Sequence, residues 1–100
     1  MDADRQALKA AVKESLAILQ ECAPGRAVEV RIPPFAAVQV VAGHTHRRGT
    51  PSAVVETDAE TWLQLARGEL AWDEAIASGR LRASGERSDL SAWLPLFPQP

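Results

Sequence analysis

The sequence predicts a small α+β domain on three observations: an amphipathic helical stretch opens the chain, short β-prone stretches follow it, and the C-terminal half alternates helical segments with one last strand-like stretch. A chain of 100 residues fits one domain, spanning 1–100, because at this size somewhat under about 70% of the unfolded surface is buried in one core. No internal repeat or linker interrupts it.

Residues 4–22 carry Leu8, Ala11, Val12, Leu16, Leu19 and Cys22 at spacings of three and four, with Lys9, Lys13, Gln20 and Glu21 opposite. This is the first helix. Asp2 or Asp4 caps it and meets its dipole, and Pro24-Gly25 ends it. Val28 to Ile32 alternates strictly, so a strand is expected with Val28, Val30 and Ile32 inward and Glu29 and Arg31 toward water. After the Pro33-Pro34 turn, residues 35–41 (FAAVQVV) are apolar on both faces except Gln39, the pattern of a strand covered on both sides and lying deeper in the sheet.

A third strand is expected over residues 52–56, and Thr57-Asp58-Ala59-Glu60 then reads as a capping box, with Thr57 at the N-cap. The helix it starts places Ala59, Trp62, Leu63 and Ala66 on one stripe with Leu65 beside it, and Gly68 stops it. A shorter helix over about 71–78 turns Trp72, Ala75 and Ile76 inward and ends at Gly79. Residues 80–84 alternate again, with Leu81 and Ala83 inward and Gly85 as terminator. Ser88 caps a final helix carrying Leu90, Trp93 and Leu94, which stops before Pro95.

With 46% hydrophobic residues, 24% charged residues and a net charge of −2, the composition is that of an ordinary globule and argues against nucleic acid as a partner. Cys22 has no second cysteine to pair with, which points to a reducing, cytoplasmic setting. The charged opening is unlike a signal peptide, and no apolar run reaches the 18 or so residues of a membrane span, so stable membrane insertion is not expected.

Thr57 to Gly85, TDAETWLQLARGELAWDEAIASGRLRASG, reads as strand end, capped helix, Gly, Leu, short helix, Gly, basic residue, Leu, strand, Gly. This order resembles the C-terminal half of the sterol carrier protein family, whose pattern falls here on Asp58, Leu65, Gly68, Leu70, Ala75, Gly79, Arg80, Leu81 and Gly85 without gaps. The segment RGTPSAVVETD is similar to that of small actinobacterial members. The resemblance implies a sterol-carrier-protein-like α+β fold: a mostly antiparallel four- to five-stranded sheet covered on one face by helices, with an apolar cavity between them. It also implies a non-catalytic carrier of sterols, fatty acids or fatty acyl chains; no cofactor is assigned. One departure stands out. The family commonly has three meandering strands before the strand that leads into the capped helix; here one of these is shortened, hidden within 42–50, or missing.

On this reading the candidate apolar lining is Trp62, Leu63, Leu65, Leu70, Trp72, Ile76, Trp93, Leu94, Leu96 and Phe97, residues that serve equally as core. Arg47 and Arg48 are the candidates for an anionic head group, since guanidinium groups bind carboxylate and phosphate bidentately. His44 and His46 share one side of an extended chain, but a zinc site needs at least a third protein ligand, so a polar hairpin loop is the preferred reading and no metal is assigned. Ser78 and Ser84 lack a GxSxG setting, no Gly-rich phosphate loop occurs, and Asp73-Glu74 fits a solvated helix start, so no catalytic residue is assigned.

Two functions follow. The first is lipid binding or transfer in an apolar cavity. The second is an interaction or oligomerisation module, a homodimer or a companion of a partner enzyme, with the apolar tail LSAWLPLFPQP as its interface. A His-Arg enzyme acting at the 43–51 loop is the weakest alternative.

Overall fold

The computed structural model describes residues 2–43 and 53–97. Its elements in chain order are α1 (Asp2–Cys22), β1 (Val28–Ile32), β2 (Ala36–Val40), β3 (Ala53–Thr57), α2 (Ala59–Arg67), α3 (Trp72–Ala77) and β4 (Leu81–Ser84), followed by a 3-10 turn over Ser91–Trp93.

The stripe of α1 buries Val12, Ser15, Leu16 and Leu19. It continues to Ala23, not Cys22: four residues beyond Leu19 is nearer a whole turn, so Ala23 is buried and the Cys22 thiol is exposed, contrary to the expectation of a buried cysteine. Alternation in β1 is as expected, and in β4 Leu81 is buried while Ala83, also expected inward, is half-buried. Val28, Val30 and Ile32 of β1, Val55 of β3 and Leu81 of β4 are all buried. They join Val12, Leu16, Leu19, Trp62 and Leu65 of the helices in one core. The opposite face of the sheet carries the cross-strand row Ala37, Arg31, Glu56 and Arg82, fixed by the register of all four strands. Arg31 pairs with Glu29 at 3.1 Å along its own strand.

The sheet order is β2-β1-β3-β4. β1 is antiparallel to β2 and parallel to β3, and β3 is antiparallel to β4, so the sheet is mixed where a mostly antiparallel one was expected. Chain direction explains this. β2 ends at Val40, opposite Val28, and β3 begins at Ala53, also opposite Val28, so the chain re-enters the sheet at the end where β1 starts and runs alongside it. The same path makes β1 central and leaves β2 at the edge, the reverse of the expected depths. Alanine caused the misreading: Ala37 is exposed and Gln39 half-buried on the outward face, where a methyl group loses little by meeting water.

Two smaller corrections concern element ends. Thr57 is the last residue of β3, and Asp58 caps α2, its carboxylate accepting from the Thr61 amide at 3.1 Å and from the Thr61 hydroxyl at 2.6 Å. The final helix is reduced to a 3-10 turn, in which Trp93 N–H donates to Leu90 O and Leu94 N–H to Ser91 O. Four strands lie among the described residues; of the expected loop over 43–51, and of the stretch 42–50 where a further strand was expected to hide, residues 44 onward lie outside them.

Candidate functional site

The C-terminal half is organised by how α2 ends. Gly68 adopts a left-handed conformation with φ of 80°, its amide donates to Leu65 O, and the Glu69 amide reaches back to Gln64 O. This pair of bonds forms a Schellman motif, which turns the chain sharply away from the helix axis. α3 starts four residues later; Ala71 at its N-cap has no side-chain acceptor, and the Glu74 carboxylate instead accepts from the Ala71 amide. The C-terminal segment is then laid across the end of α2. Ala66 O accepts from the amides of Leu96, at 2.8 Å, and Phe97, at 3.3 Å.

An open cleft of about 380 Å³ remains between these three pieces. Leu65 and Gly68 of α2, Leu70 and Ala71 of the connection, Trp72 of α3, and Leu94 and Pro95 of the tail form its walls. Glu69, Glu74 and Ser91 line it as well. The cleft therefore gathers Leu65, Leu70, Trp72 and Leu94 from the sequence candidates.

The remaining candidates lie elsewhere. Trp62 is fully buried and Leu63 nearly so, both within the core. Trp93 and Leu96 are half-buried against that core, and Phe97 is half-buried. Ile76, expected to face inward, is 40% exposed. α3 has only six residues, and the positions that reach the core are Trp72 and Ala75, three apart; Ile76 falls off that line. Arg47, Arg48, His44 and His46 lie outside the described residues.

Sequence reasoning missed Ser15. Its hydroxyl donates to Val12 O at 2.8 Å and accepts the Trp62 indole N–H at 2.8 Å, a buried link between α1 and α2. The available signal was its place three residues after Val12 and four before Leu19, on the apolar stripe. Arg80 was read as a motif position and as an outward-facing residue at the start of the last strand. Its guanidinium donates to Thr61 Oγ1 and to Gln64 Oε1, and its carbonyl accepts from the Thr57 hydroxyl. That ties the start of α2 to the start of β4, which gives a physical reason for a capped helix and a Gly-basic-Leu strand opening in one chain.

Charge chemistry in this half is structural in character. Burial pulls the Asp58 carboxyl upward, but the hydroxyl and amide of Thr61, its own amide and Arg80 outweigh that and hold it below the usual carboxylate range. Asp89 is likewise lowered by the hydroxyl and amide of Ser91. Among the described residues no group of three His, Cys, Asp or Glu side chains is placed to hold a metal, and no helix is long and apolar enough to cross a membrane.

Residues 4–96 match the family model described as "Bacterial SCP ortholog". No curated protein matches the chain. The match spans nearly the whole sequence, capped helix and last strand included: the chain belongs to this bacterial sterol-carrier-protein-like family.

Proposed function

We propose that the protein is a small, non-catalytic lipid-binding domain that holds the hydrocarbon part of a fatty acid, a fatty acyl group or a sterol-like molecule in the cleft between α2, α3 and the C-terminal tail. Family membership supports lipid binding in general terms. The observation that carries the specific site is the convergence of Leu65 of α2, Leu70 of the connection, Trp72 of α3 and Leu94 of the tail on one cleft. At about 380 Å³ it lies at the small end of ligand sites, which span roughly 300 to 1,000 Å³, and so suits a single acyl chain better than a bulkier molecule. Roughly ten methylenes leaving water at ~0.8 kcal/mol each contribute about 8 kcal/mol, so micromolar affinity is an upper limit once ordering is subtracted. Arg47 and Arg48 are proposed for the head group on sequence grounds.

Tryptophan emission tests this reading directly. Titration with palmitic acid is expected to give a saturable change that Trp72→Phe largely removes, because Trp72 is the indole in the cleft wall. Leu70→Glu, at a half-buried position, is expected to weaken binding without unfolding the protein. A flat titration with the folded wild-type protein contradicts the assignment.

A further inference from the structure

Among the described residues, β2 is hydrogen-bonded to β1 alone, so the other side of β2 is an edge of the sheet. Both of its ends are held. At one, the Phe35 amide donates to Ile32 O at 2.8 Å; at the other, the Val41 amide donates to Ala23 O and Val41 O accepts from the Ala27 amide. A five-residue edge fixed at both ends presents its outward N–H and C=O groups in a ready-made array, with little ordering left for binding to pay for.

Two clefts run along this edge. One, of about 370 Å³, lies between Lys13, Ala17 and Gln20 of α1 and residues 35–38. The other, of about 500 Å³, lies between Gln20, Arg26, Glu29 and residues 37–39. They share Gln20, Ala37 and Val38, so they adjoin along β2 and together are taken as one groove. Side chains of a strand alternate between its faces, so a wall built of consecutive residues 35–39 follows the strand's edge. Ala17, Ala36 and Ala37 keep that wall shallow enough for another backbone to approach.

Charge decides between occupants. Lys13 and Arg26 line the groove, Arg26 donating from Nε to Gln39 Oε1 at 3.2 Å, and Arg5 stacks over Phe35 at one end, 5.2 Å from the ring centre. The acid there, Glu29, is held by Arg31. Twofold pairing of β2 with a second copy would set the Arg5 end of one chain against the Arg26 end of the other, like charge on like charge. An acidic chain meets no such opposition. We infer that the groove between β2 and α1 takes an extended acidic peptide segment of a partner protein by strand addition, with alternate apolar side chains toward α1 and carboxylates toward Lys13 and Arg26. This surface is separate from the lipid cleft and does not depend on it.

A fluorescein-labelled nine-residue peptide of alternating Val and Glu tests the inference by anisotropy and by amide shifts of the labelled protein. Saturable binding is expected, with shifts concentrated at residues 35–39 and 13–20 and slowed exchange at alternate β2 amides. Lys13→Glu with Arg26→Glu, both exposed and therefore tolerated by the fold, is expected to weaken it about tenfold. Ala17→Trp, which fills the groove, is expected to abolish it, and saturating palmitic acid to leave it unchanged. Equal binding of a Val-Lys peptide, undiminished binding of a backbone N-methylated Val-Glu peptide, shifts elsewhere, or no binding at millimolar peptide each overturns the inference.

Discussion

Ser15 and Trp62 are both fully buried, and each satisfies the other's polar atom across the α1–α2 contact. Removing the acceptor alone leaves an indole N–H without a partner, so Ser15→Ala is expected to cost about 1–3 kcal/mol in urea denaturation. Ser15→Ala combined with Trp62→Phe is expected to cost less than the sum of the two single changes, because the second change removes the orphaned donor. Asp58 gives a pH-dependent counterpart. Its folded-state pKa is depressed, so its contribution is fully present above the unfolded value of about 3.9 and is lost as pH falls through the lower folded value. Melting experiments from pH 6 downward are therefore expected to show a destabilisation beginning near pH 4, and Asp58→Ala, costing about 1 kcal/mol at neutral pH, should flatten part of that slope. The cap itself was legible as a Thr-Asp-x-Glu string, but two adjacent cap-forming residues compete there. Thr57 was taken by the strand because its hydroxyl has a partner in Arg80 O, a contact 23 residues distant in sequence.

At the scale of elements, the segment between α1 and β1 is locked onto the end of β2. Val41, a β-branched residue, sits at φ 69° in the left-handed region, a strained position held by its two backbone bonds to Ala23 and Ala27. Gly25 makes the approach possible: a Cβ there would lie 2.1 Å from Val41 O, a backbone atom with no room to yield. Gly79 also has a positive φ, of 78°, but open space around it. Gly79→Ala is thus expected to cost only the roughly 1–2 kcal/mol of a left-handed residue. Gly25→Ala is expected to cost clearly more, by chemical denaturation of the two variants side by side. Helix periods and strand alternation made nearly every element visible in the sequence, because those patterns are set within a few residues. The misjudged features needed neighbours: Ile76 turns outward because α3 is too short to bury a wider stripe, and Ser91–Trp93 closes only a 3-10 turn while the tail is held by Ala66 O.

For the whole molecule, strand order was the part the sequence did not carry. Nothing in the composition of residues 35–41 distinguishes an alanine-rich edge strand from a buried one, and the parallel pairing of β1 with β3 depends on where a connection returns to the sheet. The family pattern over Thr57–Gly85 was legible because it records order and interval, and the match over residues 4–96 extends it to nearly the full chain. The cleft followed only in part: Leu65, Leu70, Trp72 and Leu94 were nameable in advance, whereas Trp62 and Leu63, equally apolar, fill the core beside it. The most direct test of the lipid reading is native mass spectrometry of the intact protein equilibrated with a mixture of long-chain fatty acids. A one-to-one adduct that is lost in Leu70→Glu is the predicted result; bare protein at every lipid concentration, from a sample that remains folded, contradicts it.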